Sequence, residues 1–443
     1  MSVVVRFAPS PTGTLHVGSA RTALFNYLFA KQNGGQIFLR IEDTDRERSK
    51  PEFEQNIFEG LDWLGLKFDN SEPIRQSERT AIYRAVLEKL ISAGTAYVSK
   101  EEINDKNKRG EVIRLRNSGQ KITFTDLIRG EISFDTTELG DFVIAKSFDE
   151  PLYHFAVVVD DWKMGITHII RGEDHISNTP RQILIQEALD APDGKAGASR
   201  PIYAHIPLIL APDRSKLSKR NLPDGKAGGA VSVTEYREQG FLPEALLNYL
   251  ALLGWNPGTD QEIFSSLTEL TKQFSLDKVQ KGGAIFNLEK LKWLNREHLK
   301  LAGDSIWENI FLTDWPSDLR ARVIPIIRER VATLTEGKSL ITSGEYDYFR
   351  MAPIVDRTLL KTPATLAKTI ALLDTLPETD FTAAQIKTAL WSYAEEAGRG
   401  AVLWPLRMAL TGKERSPDPF TVASILGKEE TLSRLRKITN DVV

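Results

Sequence analysis

Residues 3–43 read VVVRFAPSPTGTLHVGSARTALFNYLFAKQNGGQIFLRIED. The opening VVVRF is a short run of β-formers, and PSPTG is a turn, since two prolines and a glycine end any ladder. Ala20, Ala23, Leu24, Tyr27 and Leu28 then recur at i, i+3, i+4, i+7 and i+8, which places one face of a helix against a core. Asn33-Gly34-Gly35 stops that helix, and QIFLRIED supplies a second strand. Strand, helix and strand at this spacing form a βαβ unit, hence a parallel sheet with a right-handed crossover.

Working outward, the sheet signal lapses over 77–149. ERTAIYRAVLEKLISAG has helical spacing, and a charged stretch follows, then ITFTD and EISFD as short strands. Sheet-like segments resume with FVIAK, YHFAVVVDD and THIIRGED, then the helix TPRQILIQEALD and the strand region PIYAHIPLIL. From about 232 the pattern is helical (LPEALLNYLALLGW, LEKLKWLNREHLK), and after 300 it is helical throughout. The expected architecture is α/β, a Rossmann-type parallel sheet with an inserted module, followed by an all-α region. The expected boundaries are 1–76 and 150–220 for the two sheet halves, 77–149 for the insertion, 221–300 for a helical domain and 301–443 for the all-α part.

The chain has 443 residues, enough for several domains, with a net charge of −3 and no cysteine. Disulfides and thiolate catalysis are excluded, and a structural zinc site is disfavoured. No window approaches the roughly 18 apolar residues of a membrane span, and the N-terminus lacks a leader pattern, so a cytoplasmic protein is expected.

Two stretches carry candidate chemistry. In PSPTGTLHVG, His16 and Gly18 stand at the mouth of a helix, where unpaired N–H groups attract anions. A turn with an incidental histidine is the plainer alternative. No GxxxxGK[ST] or GxGxxG occurs, so a nucleotide site here is built another way. KLSKR (216–220) is either a solvated basic loop or a pair of lysines, Lys216 and Lys219, placed to neutralise a departing pyrophosphate. Following the strand region PLILAPD, it faces the same crevice at the carboxyl ends of the strands. In IEDTD, the acidic residues Glu42, Asp43 and Asp45 could read as a metal site, though no histidine partner accompanies them.

PSPTGTLHVG resembles the HIGH signature of class I aminoacyl-tRNA synthetases, and KLSKR resembles their KMSKS signature. With RIEDTDRERS, VVVDDWKMGITHIIRGEDHISNTPRQI, LPEALLNYLALLGW and WPLRMALTG, the chain is similar, from residue 3 to about 440, to the bacterial glutamyl-tRNA synthetases. The resemblance implies an enzyme that forms glutamyl-adenylate from L-glutamate and ATP with Mg²⁺, then esterifies the terminal adenosine of tRNA(Glu). His16, Gly18, Thr12 and Gly13 would hold ATP, and Lys216 and Lys219 would stabilise pyrophosphate. Arg6, Ala8, Ser10, Glu42, Tyr153 and Arg171 would bind glutamate. Asp45, Arg48, Arg350, Arg399 and Arg407, with Trp404, would meet tRNA. No metal residues and no zinc are implied, and the protein is expected to be a monomer.

Val157 and Asp174 stand where some relatives carry asparagine and glutamate. NLPDGKAGGA replaces the usual His-Gly-Ala after the second signature; its PDGKAG repeats residues 192–197, as plain surface loops or as altered closure over ATP. Glutaminyl-tRNA synthetase, or a dual enzyme that also charges tRNA(Gln), is the nearest alternative. The helical C-terminal region disfavours the glutaminyl enzyme, and the paired arginines suit an acid rather than an amide. A tRNA-base-modifying paralogue, a small-molecule nucleotidyltransferase and a non-catalytic tRNA-binding protein fit the chain less well.

Overall fold

The computed structural model describes residues 2–100, 110–190, 200–217, 231–360 and 364–440. Contacts divide the chain into two compact units, 1–298 and 299–443.

In the first unit, β1 (Val4–Phe7) leads through the proline turn to α1 (Val17–Gln32), β2 (Gln36–Ile41), α2 (Pro51–Trp63) and β3 (Ile74–Arg75). The next stretch runs α3 (Thr80–Ser92), β4 (Ala96–Lys100), β5 (Glu111–Leu115), β6 (Lys121–Asp126), β7 (Gly130–Asp135), β8 (Phe142–Ser147) and β9 (Glu150–Pro151). Then come α4 (Tyr153–Lys163), β10 (His168–Gly172), α5 (Thr179–Asp190), β11 (Ile202–Ile206) and β12 (Ile209–Leu210). The unit closes with α6 (Val233–Glu238), α7 (Pro243–Leu252), α8 (Leu267–Gln273), β13 (Ala284–Ile285) and the start of α9 (Leu288–Leu301).

The parallel sheet is assembled from both sides of β1. β1 pairs with β2, Val4 opposite Gln36 and Phe7 opposite Leu39, and β2 pairs with β3. On the other flank, Thr167 N donates to Val4 O at 2.9 Å and Val4 N donates to Thr167 Oγ1 at 2.8 Å. This stitch sets β10 beside β1, and β10 pairs in parallel with β11. Helices cover both faces. One core gathers Val5, Leu24, Phe25, Ile37 and Leu250; the other gathers Phe155, Val159, Ile169, Ile183 and Tyr203. Fully buried Leu24, Phe25 and Leu28 fasten α1 to the first, each worth about 1.5–3 kcal/mol of transfer energy. Gly35 is required where the chain turns back into β2. A Cβ there would lie 2.2 Å from Val3 O, which accepts the first bond of the returning strand, from Gln36 N at 2.9 Å.

Two sequence expectations need correction. YHFAVVVDD is not a strand but α4, whose residues Phe155 to Asp161 are all buried. A short apolar run in a core looks the same in either state, because neither a period of 2 nor one of 3.6 shows when every face is covered. FVIAK is a strand, β8, but it belongs to the antiparallel sheet β4-β5-β8-β9 rather than to the parallel one. The hairpin β6–β7 does the reverse: it lies in sequence between β5 and β8 of the antiparallel sheet, yet Asp126 pairs with Tyr203 and borders β11.

The second unit carries α10 (Ser317–Arg330), α11 (Leu334–Thr342), α12 (Thr365–Asp374), α13 (Ala383–Ala397), α14 (Arg399–Thr411), α15 (Pro419–Leu426) and α16 (Lys428–Asn440). Among its described residues no strand occurs, in keeping with the all-α expectation.

Candidate active site

A cavity of about 430 Å³ opens at the carboxyl ends of β1 and β10. It is lined by Arg6, Ala8, Ser10, His16, Gly18, Glu42, Tyr153, Arg171 and Lys216, nine of the residues expected from the sequence. Thr12 and Gly13 lie in the preceding turn, where Thr12 N donates to Ser10 O at 2.9 Å, and they do not line the cavity. Lys219 lies outside the described residues, as do both PDGKAG segments.

His16 is the N-cap of α1. Its Nδ1 accepts Gly18 N at 3.0 Å, which leaves Nε2 as the protonated, donating nitrogen of the neutral ring. A Cβ on Gly18 would meet that same Nδ1 at 3.3 Å, so glycine keeps the cap and the approach to the helix N-terminus open. Lys216 Nζ bonds Asp174 Oδ2 at 3.0 Å on the opposite rim; both side chains are largely exposed, partial desolvation at the rim opposes ionisation of Asp174, and Lys216 outweighs it and keeps the carboxyl below its ordinary range.

The floor is a buried ion network. Arg40, fully buried, donates to Asp161 Oδ1 at 2.6 Å and to Glu42 Oε1 at 3.0 Å. Arg6 Nε donates to the same Asp161 Oδ1 at 3.2 Å. Burial opposes ionisation of Asp161, but Arg40 and Arg6 overcome it and hold the carboxyl low. For Glu42 the balance reverses: burial outweighs Arg40 and Arg6, and its carboxyl titrates above the ordinary range. Next door, Asp160 Oδ1 accepts Arg79 Nε at 2.7 Å, while its Oδ2 accepts Tyr83 Oη at 2.8 Å and Gln76 Nε2 at 2.9 Å.

Arg171 differs from Arg6 in one respect. It is buried, yet among the described residues no carboxylate lies within ion-pair distance. Its guanidinium meets neutral acceptors only: His205 Nε2 at 3.1 Å, Gln182 Oε1 at 2.7 Å, Thr179 Oγ1 at 2.8 Å and His175 O at 3.4 Å. Burial accordingly lowers its pKa. Tyr153 Oη lies 3.3 Å from His175 Nδ1, and burial, then Glu42, push the phenol up to about 12, so it stays protonated.

Sequence reasoning missed Arg21, Arg40, Asp161, His175 and His205. Arg21, buried on α1, donates to Leu253 O at 2.9 Å and to Pro207 O, clamping the cavity wall. A lone arginine inside a helix gives no sign of this in sequence. Asp160-Asp161 did give one, a pair of acids ending an apolar run. Val157 is buried within α4 and does not line the cavity.

A second cavity, of about 760 Å³, is lined by Asp45, Gln76, Tyr83, Lys146, Glu150 and Tyr153 among others. Arg48 stands nearby with its Nε 2.6 Å from Asp45 Oδ2, an exposed pair. In the second unit, Arg350 pairs with Asp314 and lies 5.5 Å above the Trp315 ring; Arg399 bonds Glu395 at 3.0 Å; Arg407 donates to Ser416 O at 3.2 Å; and Trp404 Nε1 donates to Leu359 O at 2.7 Å.

The family model described as tRNA synthetases class I (E and Q), catalytic domain, matches residues 2–109 and 99–293, and one described as anticodon binding domain matches 288–439. A glutamate–tRNA ligase of Acidithiobacillus ferrooxidans is 42% identical over 99% of both chains, and one of Carboxydothermus hydrogenoformans is 41% identical over 99% of this chain and 100% of its own. The crystal structure of a glutamate tRNA ligase from Elizabethkingia meningosepticum, in complex with its amino acid, superposes with a TM-score of 0.82 at 33% identity, covering 99% of each chain. On this agreement across both units, the chain belongs to the class I tRNA synthetases, in the glutamate–tRNA ligase family.

Proposed function

We propose that this glutamate–tRNA ligase selects its amino acid chiefly through Arg171, and one observation carries the reading. A buried guanidinium on the cavity wall, with only neutral acceptors around it, is matched by an anionic ligand. Arg6, already neutralised by Asp161, adds donors rather than net charge. Glu42 faces the substrate ammonium, whose arrival compensates the burial that now disfavours the ionised carboxyl. Ala8 and Ser10 line the same wall, and Tyr153 presents a neutral phenol.

ATP enters with its Mg²⁺ as substrate. His16 Nε2–H and the α1 N-terminus behind Gly18 meet its phosphates, with Thr12 and Gly13 in the adjacent turn. The glutamate α-carboxylate attacks the α-phosphorus and the bond to pyrophosphate breaks. Lys216, with Lys219, stabilises the charge on the leaving group, and catalysis rests on positioning and electrostatics. Glutamate then passes to the terminal adenosine of tRNA(Glu), whose end is received by the second cavity near Asp45 and Arg48, while Arg350, Arg399 and Arg407 serve the anticodon side. We read the protein as a cytoplasmic monomer without zinc.

The test is ATP–pyrophosphate exchange with Arg171→Met. Losing one partner of a buried charge pair costs about 2–5 kcal/mol, so the glutamate KM should rise at least about thirtyfold while the ATP KM stays within about twofold. Equal changes in both would refute the role. Charging purified tRNA(Glu) and tRNA(Gln) separately decides whether specificity is single or dual.

A further inference from the structure

The acceptors around Arg171 are themselves held in place, and one of them by a residue from the insertion. His205, fully buried, is the cross-strand neighbour of Arg171 in the β10–β11 pair. Its Nε2 lies 3.1 Å from Arg171 Nε. A guanidinium nitrogen has only protons to offer, so Nε2 is the acceptor and the ring proton sits on Nδ1. That proton faces Asp126 Oδ2 at 2.7 Å. Asp126, the last residue of β6 and almost fully buried, also accepts His205 N at 3.0 Å, and its Oδ1 accepts Ile128 N and Arg129 N, both at 2.9 Å. Four N–H donors fix this carboxylate as ionised and immobile, and it in turn fixes the tautomer and rotation of the ring.

We propose that Asp126 and His205 form a positioning pair that sets the plane of the Arg171 guanidinium and so the preference of the cavity for an acidic side chain. The proposal rests on the reading that Arg171 receives the substrate carboxylate. The chemistry explains why an imidazole stands between the two charges. A carboxylate touching Arg171 would orient it equally well but would cancel the positive charge the substrate must meet. The neutral ring passes orientation along a hydrogen-bonded line, Asp126 to Nδ1 and Nε2 to Arg171, while keeping the anion one residue away. Burial, reinforced by Arg171 and Arg129, keeps His205 neutral against the pull of Asp126. Gln182 and Thr179 complete the clamp from α5, so the guanidinium is held on three edges with no anion among its holders.

Two amides separate this role from a packing role, because they reproduce different halves of the imidazole. In His205→Asn the amide reaches the Nδ1 position and can serve Asp126, but nothing accepts Arg171 Nε. In His205→Gln the amide oxygen reaches the Nε2 position and restores that acceptor. ATP–pyrophosphate exchange should show the glutamate KM raised about tenfold or more in His205→Asn, the ATP KM within about twofold, and most of the glutamate defect rescued in His205→Gln. A glutamate KM within twofold of the parent in His205→Asn, or equal defects in the two variants, overturns the proposal. If His205→Asn does not fold, Asp126→Asn takes its place. Its amide turns a donor toward Nδ1 and drives the ring to the Nε2–H tautomer, with the same selective rise expected and an unchanged glutamate KM overturning the assignment. Arg171→Met, measured alongside, separates the two levels: a normal glutamate KM there refutes the underlying reading, whereas a raised one with normal His205→Asn refutes only the positioning pair.

Discussion

Asp161→Asn gives the most direct test of the charge network under the cavity. The substitution keeps shape and removes charge at a site where one oxygen serves two guanidiniums, Arg40 at 2.6 Å and Arg6 at 3.2 Å. Breaking a buried ion pair from one side costs about 3–5 kcal/mol. The lower end applies, because Arg40 retains Glu42 at 3.0 Å and Asp160 at 3.9 Å, and only Arg6 is left without a carboxylate. At roughly 2 °C per kcal/mol for a unit of this size, about 3 kcal/mol lowers the melting temperature of the catalytic unit by about 6 °C. The assay is calorimetric melting of the full chain, with the catalytic transition identified by its upward shift with saturating glutamate and ATP. Arg6→Met and the double variant complete a cycle whose coupling should be about 1–3 kcal/mol, since neutralising Arg6 removes the charge that Asp161→Asn orphans. A drop below about 1 °C, or additive single effects, would refute the view that Asp161 compensates Arg6.

Lys216→Met should leave the melting temperature nearly unchanged, because its partner Asp174 and the lysine are both exposed and such pairs contribute at most about 1 kcal/mol. The same variant should slow pyrophosphate exchange about tenfold or more, and an unaltered rate removes Lys216 from leaving-group stabilisation. His154 and His175 are lowered to about 4, by burial first and then by nearby Arg181 or Arg171. Their neutral forms are favoured by the fold, so that contribution is complete above about pH 6.5 and is lost as the pH falls toward 4, with up to about two protons taken up on unfolding. Melting temperatures should fall across that window and less steeply in His154→Gln; a flat profile from pH 6.5 to 4.5 contradicts the assignment.

The parallel sheet and its crevice were legible because β1, its turn and α1 each obey a local rule: β-branched run, proline stop, helical period. His16, Gly18 and Lys216 followed from two signatures meeting at one sheet edge, and Arg6 and Arg171 from standing at strand ends, whereas Ala8, Ser10, Glu42 and Tyr153 came only with the family resemblance. What stayed hidden depends on distant partners. Nothing in FAVVV distinguishes a buried strand from a helix covered on every side, and nothing in PIYAHIPLIL announces that His205 faces Arg171 on one side and Asp126, from the β6–β7 hairpin, on the other. Arg6 and Arg171 look alike in sequence. Only the placement of Asp161 shows that one is neutralised and the other is not.

The bond between Arg6 and Asp161 spans 155 positions of the chain. During synthesis at about 5–20 residues per second, Arg6 therefore waits roughly 8–30 seconds after its own synthesis, and Arg40 roughly 6–24 seconds, before their common counter-ion is made. Through that interval Arg40 has Glu42, two residues on, whereas Arg6 on β1 lacks its carboxylate and the strand that flanks it, β10, does not yet exist. The charge balance of the N-terminal strands is therefore completed only once the chain beyond the β4–β9 segment has been made. Fragments ending before residue 161 lack both that carboxylate and β10, and should not fold into a stable half-enzyme.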